Sequence, residues 1–484
     1  MDTKQISSDN IFIKKAFAII IAVYVLAVIG FYFLAGEQLQ TRDSRSNILM
    51  LPAETGTVEL TEGAIVEQHF HTNVQRIESL SIQWGTYYRE NHGTIIVELL
   101  NDSTGEVLLK DSFDAATITE GGFTDILIDT PLEQLMGQPL CLRVYSLDTV
   151  SGSAPAPLMN AQSSLDEGQL IVNGEPVSGT LCFSVSGKDY IWTGIHYWQF
   201  VSIGAVLLIL FLLLEYHRYK NNKRSYLINA LFALKQYKFL IEQLVSRDFK
   251  TKYKRSVLGM FWSFLNPLLM MLVQYFVFST LFRADIPFYP AYLLIGIVAY
   301  NFFAESCSLT LTSILSNAGL ITKVYMPKYI YPMVRVMSST INLGISLIPM
   351  VLVCLVIGVA FKKAAILSLF FFICLAIFCL GLGLLLSTAM VFFRDTQFLW
   401  SVVSMMWMYA TPIFYPESIL PENLRFVLKI NPLYYMIKSI RTCIIGGISP
   451  EPLVYFQCLL FALGMLLIGA FVFKKNQHKF VLYL

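Results

Sequence analysis

Long apolar runs and one extended polar region divide the chain. Runs of about 20 residues with few charges read as membrane-crossing helices, because lipid offers the backbone no other hydrogen-bond partners. The first such run covers residues 11–35, with Lys14 and Lys15 near its start. Its apolar core is longer than a secretory signal needs and no clear A-x-A site follows, so residues 1–35 are expected to form an uncleaved anchor. A second run covers residues 196–216, opened by Trp192, Tyr197 and Trp198 as an aromatic belt. Six more fall at about residues 257–282, 291–314, 331–361, 364–392, 397–413 and 453–473, giving about eight spans. The expected fold class is therefore an α-helical polytopic membrane protein carrying an extracytoplasmic all-β domain.

That domain is the polar stretch at residues 36–195. Residues 94–100 (TIIVELL) are rich in β-formers and end on the turn cluster Asn101-Asp102-Ser103-Thr104-Gly105. Residues 169–172 and 175–177 flank Asn173-Gly174, which favours a type I′ hairpin. Further strands are expected at residues 79–84, 125–129, 140–145 and 181–185, with residues 151–157 as a loop. Many short strands with turn residues between them predict a sandwich or jelly roll.

Charge placement orients these pieces. His217, Arg218, Lys220, Lys223 and Arg224 follow the second span directly, which puts that end in the cytoplasm and the β domain outside. Lys14 and Lys15, Lys323 and Lys328, and Lys474 and Lys475 agree, with both termini cytoplasmic, while Lys362 and Lys363 run against the rule. Charged residues make up 14% of the chain against about 25% in globular domains, so a soluble enzyme is excluded. The net charge of +2 gives no reason to expect a nucleic-acid partner. Cys307, Cys354, Cys374, Cys379, Cys443 and Cys458 fall in or beside apolar runs and read as small packing residues. Cys141 and Cys182 lie in the polar domain, where a disulfide and two free thiols both remain open. No C-x-x-C pair or His/Cys cluster supports a metal site.

One segment is neither span nor loop. Leu234, Tyr237, Ile241, Leu244, Val245, Phe249 and Tyr253 recur at helical spacing between residues 231 and 255. Arg247, Lys250, Lys252, Lys254 and Arg255 surround that stripe, as do Lys235 and Lys238. Such a helix lies in the membrane interface with its basic face toward lipid phosphates, although a stop-transfer flank has similar charge. Residues 217–256 therefore form a cytoplasmic linker and interfacial helix, and residues 257–484 a six-span domain. Glu305 falls inside a span, where an acid is costly; it lines a polar route or bonds a neighbouring helix. Trp407 and Tyr409 are among the aromatics that would stack on sugars or pack against helices. In the β domain Trp84, Tyr87 and Tyr88 offer ring faces to a glycan, or fill the sandwich core. No G-x-x-x-x-G-K-[ST] occurs, so the chain carries no ATPase; G-x-S-x-G and H-E-x-x-H are missing too.

Four blocks carry a family resemblance. They are RDFKTKYKRSVLGMFWSFLNPLL from Arg247, NAGLITKVYMPKYIYP from Asn317, FFRD ending at Asp395, and TPIFYPESILP from Thr411, followed by Asn431-Pro432 and Arg441. In this order they resemble the ABC-2 type permeases that export O-antigen, teichoic acid and capsular or cell-wall polysaccharides. The resemblance covers about half the chain and leaves out the β domain and its two flanking helices. It implies a permease that forms a dimer, since no internal repeat supplies a second half. It also implies a separate ATPase subunit that binds ATP and Mg, so this chain needs no cofactor of its own. The cargo it implies is a lipid-linked polysaccharide, on a carrier such as undecaprenyl diphosphate, handled among membrane lipids in the cytoplasmic membrane.

Roles for particular residues follow from the same resemblance. Residues 316–325 read as a short helix with Asn317 as N-cap and Met326-Pro327 as its stop. The resemblance makes this the coupling helix for the ATPase, through Asn317, Leu320, Ile321, Lys323 and Tyr325, with Arg394 and Asp395 close to the same contact. The proline-rich stretch 411–447 would be re-entrant near the outer mouth. Candidates lining the route are Trp262, Glu305, Trp407, Tyr409, Tyr415 and Arg441. Two other readings stay open: an exporter of another amphipathic substrate, and a membrane-anchored glycan sensor or scaffold.

Overall fold

A computed structural model describes residues 3–45, 53–162, 168–221, 223, 225–254, 257–281, 286–323, 326–421, 423 and 425–483. Arg224, Arg255 and Tyr325, named in the sequence reading, and residues 256 and 282, at the ends of expected segments, lie outside the described residues. The chain forms two compact units, residues 40–195 and the rest. Helix α1 (Thr3–Ala35) precedes the first unit in sequence and belongs to the second.

Residues 40–195 form two antiparallel sheets. The strands are β1 (Thr41–Arg45), β2 (Thr55–Gly56), β3 (Ile65–His71), β4 (Arg76–Gly85), β5 (Thr94–Asn101), β6 (Val107–Asp114) and β7 (Phe123–Glu133). Then come β8 (Pro139–Ser146), β9 (Ala156–Asn160), β10 (Leu170–Val172), β11 (Glu175–Val177), β12 (Thr180–Leu181) and β13 (Phe183–Tyr190), followed by the single turn α2 (Trp192–Ile195). A seven-stranded sheet orders β1-β13-β4-β9-β12, with β2 on β9 and β7 on β4. A six-stranded sheet orders β11-β10-β3-β8-β5-β6. Val66, Phe70, Leu80, Ile82, Trp84, Val97, Leu142, Val144 and Phe183 share one buried core. Strand β3 shows how: Val66, Gln68 and Phe70 are buried while Glu67, His69 and His71 alternate outward. The β10–β11 hairpin turns at Asn173 (φ 52°) and Gly174 (φ 82°), the two left-handed positions of a type I′ turn. The stretch expected as a loop at 151–157 gives its last two residues to β9. Cys141 and Cys182 are buried as thiols, and burial pushes them up to about 12 and about 11.

The second unit is helical: α1, α3 (Tyr197–Lys220), α4 (Tyr226–Tyr253), α5 (Phe261–Leu281), α6 (Tyr289–Leu311), α7 (Ala318–Ile321), α8 (Ile330–Val356) and α9 (Ser368–Phe392). It continues with α10 (Thr396–Tyr409), α11 (Arg425–Ile430), α12 (Pro432–Ile444), α13 (Pro452–Asn476) and α14 (Phe480–Tyr483). Among the described residues seven helical segments are long and apolar enough to cross a membrane, built on α1, α3, α5, α6, α8, α9 and α13. The expected eighth span is corrected: α10 has 14 residues, about 21 Å of helix against about 30 Å of hydrocarbon. Pro412 and Pro416 end the pattern there. Helix α6 is the central one, with Leu293, Leu294, Ile295, Ala299 and Phe303 fully buried. Helices α9 and α13 approach so closely that a Cβ on Gly469 would meet the Gly381 carbonyl oxygen at 1.9 Å. Helices α1 and α3 are joined by Tyr24 Oη donating to the Val201 carbonyl and Tyr197 Oη to the Val28 carbonyl, both at 2.8 Å.

Candidate functional site

The polar residues of the helical unit converge on Glu305. It lies six residues before the end of α6, about 9 Å into the helix. Its Oε1 accepts from Lys252 Nζ and from Asn342 Nδ2, each at 2.7 Å. Tyr253 Oη donates to Asn342 Oδ1 at 3.0 Å and is hydrogen-bonded to the Ser263 hydroxyl. Ser346 Oγ donates to the Ser263 carbonyl at 3.2 Å. One network thus joins α4, α5, α6 and α8. It borders a cavity of about 510 Å³ lined by Lys252, Trp262, Asn266, Asn301, Glu305 and Asn342.

An adjoining cavity of about 690 Å³ shares Lys252, Glu305 and Asn342 and adds Arg247, Asp248 and Arg335. Asp248 is the hub of that end. It takes Arg335 Nη1 at 2.8 Å and Arg247 Nη2 at 3.2 Å, with its own side chain 9% exposed. Arg335 Nη2 also donates to Ser316 Oγ at 3.2 Å, and Arg247 Nη2 to Asn317 Oδ1 at 3.3 Å. Arg247, Lys252 and Arg335 face only Asp248 and Glu305, so the charge lining the two cavities is positive by one. A net positive, polar surface suits an anionic head group better than a cation.

The interfacial helix departs partly from its expected burial. Ile241 and Leu244 pack against Ile330, Tyr331 and Val334 of α8 and against Phe473 and Phe480, so that part of the stripe meets protein. Phe239 stays 73% exposed on another face. Lys250, Lys252 and Lys254 are exposed around the end of α4, where they also complement its dipole.

The coupling segment is shorter than the expected helix. A 3-10 turn over Leu315–Asn317 leads into the four-residue α7. Asn317 occupies the expected N-cap position of α7 but makes no side-chain cap bond there. Its side chain is 7% exposed and turned inward, Nδ2 donating to the Ser313 carbonyl at 2.8 Å and Oδ1 accepting from Arg247. Leu320 and Ile321 are half-buried, while Lys323, Arg394 and Asp395 are exposed.

The broken region is held by two polar residues. Arg441 donates from Nε to the Tyr292 carbonyl at 3.1 Å, from Nη1 to Pro412 at 2.7 Å and from Nη2 to Ile413 at 2.9 Å. Its guanidinium also lies 3.4 Å from the Tyr292 ring centroid. The bonds to Pro412 and Ile413 satisfy carbonyls beyond the end of α10, and the bond to Tyr292 ties them to α6, so Arg441 holds the break in place. Asn431 Oδ1 accepts from Trp407 Nε1 at 2.8 Å, and its Nδ2 donates to Thr411 Oγ1 at 2.8 Å. Trp407 packs edge-on against Phe303 at 5.2 Å and Phe378 at 6.2 Å. Tyr409 is 60% exposed, and its carbonyl accepts from Tyr415 Oη at 2.6 Å.

In the β unit, Trp84 has no exposed face. It is fully buried against Phe113 at 5.9 Å, which corrects its candidacy as a glycan platform. Tyr87 and Tyr88 differ: both backbones are left-handed (φ 58° and 57°), and their side chains are 48% and 91% exposed. Glu120 holds this loop, accepting from Thr86 N at 2.6 Å, Thr86 Oγ1 at 2.7 Å and Tyr88 N at 3.3 Å. The Thr86 hydroxyl bond, with the backbone bonds behind it, keeps the Glu120 carboxyl below its usual range.

Of the residues named from sequence, Arg247, Lys252, Tyr253, Trp262, Glu305 and Asn317 come together around the two cavities. Arg335 and Asn342 were not anticipated. They stand seven residues apart, two turns along one face of a membrane span, and that spacing of costly polar groups was readable.

Residues 240–445 match the family model described as ABC-2 type transporter. The chain is 31% identical over 262 residues to the O-antigen export system permease protein RfbA of Klebsiella pneumoniae, covering 53% of this chain and 97% of that protein. It is 30% identical over 262 residues to the RfbA protein of Myxococcus xanthus, covering 52% and 98%. The polysialic acid transport protein KpsM of Escherichia coli is 21% identical over 244 residues, covering 50% and 95%. The β unit lies outside the family match.

Proposed function

The chain belongs to the ABC-2 type transporter family as a multi-pass membrane permease, and we propose that it exports a lipid-linked polysaccharide driven by a separate ATPase subunit. The relatives named for O-antigen and polysialic acid transport support the substrate class. The observation that carries the reading is the cationic polar cavity shared by α4, α5, α6 and α8. A lipid diphosphate is an anion with an apolar tail. Lys252 at the end of an amphipathic helix, with Arg247, Lys250 and Lys254 around it, presents donors to the head while the tail stays in lipid.

The ATPase would bind ATP and Mg and dock at the exposed side chains Lys323, Arg394 and Asp395. Its movement would reach the cavity through Ser316 and Asn317, which are bonded to Arg335 and Arg247. Two copies would form the route between them. The β domain would stand outside the cytoplasmic membrane and receive the emerging glycan, with Tyr87 and Tyr88 among its contacts. The test is export in cells depending on this chain. Neutralising Lys250, Lys252 and Lys254 together should remove surface glycan while the protein still reaches the membrane. Normal surface glycan from that variant would refute the head-group role. Deleting residues 317–325 should abolish co-purification of the ATPase, and undiminished co-purification would refute the docking site.

A further inference from the structure

We propose that the outward face of the six-stranded sheet is a saccharide-binding groove for a neutral stretch of glycan. The inference rests on the polysaccharide-export reading for its biological ligand, and on the β unit alone for its chemistry. Strand alternation points Glu67 of β3, Arg143 of β8, Glu98 of β5 and Lys110 of β6 to the same face, and their registers place them in one row across four strands. A cavity of about 440 Å³ opens there, lined by Glu67, Glu98, Arg143, Tyr145 and Asn173. That is within the range of about 300–1,000 Å³ typical of small-ligand sites, enough for a short run of sugar rings.

The charges cancel within the row. Arg143 Nε meets Glu67 Oε1 at 2.7 Å, Lys110 Nζ meets Glu98 Oε1 at 2.9 Å, and Arg143 Nη1 is 3.7 Å from Glu98 Oε2. An isolated anion would meet two carboxylates, and an isolated cation would meet Arg143 and Lys110. A neutral polyol meets neither penalty. Each of its hydroxyls donates one bond and accepts others, and this row presents both kinds of partner side by side. The Glu67–Arg143 and Glu98–Lys110 pairs set acceptors and donors side by side along the row. Tyr145 Oη donates to Glu98 Oε1 at 2.9 Å, which fixes its ring beside that pair. The ring, with the 39% exposed Ile65 on the paired residue of β3, offers an apolar surface to sugar C–H groups. Asn173 closes one end, its Oδ1 accepting from Ile65 N at 2.9 Å, with Gly174 beside it leaving that wall without a side chain.

The groups are preorganised. All four charged residues stand on paired strands, and Glu98 stays ionised because Lys110 and Tyr145 bond it despite its burial. A solvated ion-pair ladder would share the pairing. It would not by itself supply the groove and the fixed aromatic ring beside it.

The experiment uses the full chain in nanodiscs and a panel of fluorescent tetrasaccharides: neutral mannan, galactan and glucan fragments, with a sialic acid tetramer as the acidic comparator. At least one neutral fragment should bind and the sialic acid tetramer should not. Glu67→Gln and Tyr145→Ala should each weaken binding at least about tenfold, the scale of one charge-assisted contact. Leu127→Ala, on an exposed position of the other sheet, should leave it unchanged, and unaltered thermal melting of Glu67→Gln would exclude misfolding. No neutral fragment bound, or binding indifferent to both groove variants, overturns the proposal. Surface glycan in cells lacking the chain is measured in parallel. Lost export with no fragment bound overturns the groove alone, while intact export with groove-dependent binding overturns the exporter reading alone.

Discussion

Replacing Glu305 with Gln tests whether Glu305 holds Lys252 in reserve for a lipid diphosphate. The substitution keeps an oxygen for Asn342 Nδ2 and removes the charge that holds Lys252 at 2.7 Å. A charge-assisted hydrogen bond contributes about 1.5–3 kcal/mol when shielded from water. Here the Lys252 and Glu305 side chains are 41% and 29% exposed, so solvent lowers the coupling to about 1–2 kcal/mol. If Lys252 must leave Glu305 to meet the diphosphate, Glu305→Gln removes that cost and tightens binding by about five- to thirtyfold. The assay is titration of undecaprenyl diphosphate into permease in nanodiscs, followed by intrinsic fluorescence. Lys252→Gln should weaken binding, and the double variant should match Lys252→Gln, since with Lys252 gone there is nothing left to release. Unchanged or weaker binding in Glu305→Gln refutes the reasoning. So does a double variant whose effect is the sum of the two singles.

Asp248→Asn leaves Arg247 and Arg335 facing a neutral amide; it should cost about 3 kcal/mol in thermal stability and reduce export per ATP hydrolysed in the reconstituted transporter. Arg441→Lys replaces a planar fork with a point donor, which cannot serve three carbonyls; faster proteolysis within residues 411–431 should report the loosened break. Gly469→Ala forces α9 and α13 apart, since its Cβ would meet backbone at 1.9 Å; a loss of about 3 kcal/mol should show as a lower melting temperature in detergent. Glu59, Glu98, Glu120 and Asp148 all have carboxyls held below their ordinary values of 4.5 for Glu and 3.8 for Asp. Between the folded and unfolded values the unfolded state binds more protons, so stability is complete above about pH 5 and falls as pH drops through the lowered values. Hydrogen-exchange protection factors within residues 40–195 of the full chain, corrected for the intrinsic rate, should therefore fall below about pH 4 and stay flat from pH 5 to 7.

The membrane character of the chain was legible because each span must satisfy its own backbone, which leaves long apolar runs in sequence. The all-β character of residues 40–195 was legible for similar reasons, and the Asn173-Gly174 turn could be read from two residues. Strand β3 could not. Its inward face carries Gln68, whose Nε2 donates to the His69 carbonyl and whose Oε1 accepts from Leu181 N, so a polar residue interrupts the apolar alternation. Trp84 shows a second limit. An aromatic between strand residues looks the same whether it faces core or solvent, and only the register settled that it faces core. At the candidate site, Lys252 and Glu305 stood out one by one as costly residues. Their pairing did not, because 53 positions separate them and two helices bring them together.

Helix α4 connects the part of the chain that the family match covers to the part that it does not. Its last turn carries Lys252 to Glu305. Its first turn is held by Glu215, a carboxylate 2% exposed at the end of α3, which accepts from Ser225 Oγ at 2.7 Å and from Leu227 N at 3.0 Å. A negative group there satisfies free amide hydrogens and complements the helix dipole. The N-terminal helix contributes too: the Phe12 and Phe232 rings meet at a tilt with centroids 5.5 Å apart, and Lys235 Nζ lies 4.4 Å from the Phe12 ring centroid. Both helices that flank the β unit in sequence, α1 and α3, are therefore fastened to the start of α4. A helix of 28 residues is about 42 Å of continuous hydrogen-bonded rod, so a tilt imposed at Glu215 displaces Lys252 at the other end. The added segments thus bear on the same ion pair that the cavity is built around, and Lys252 is the residue at which the two halves of the sequence meet.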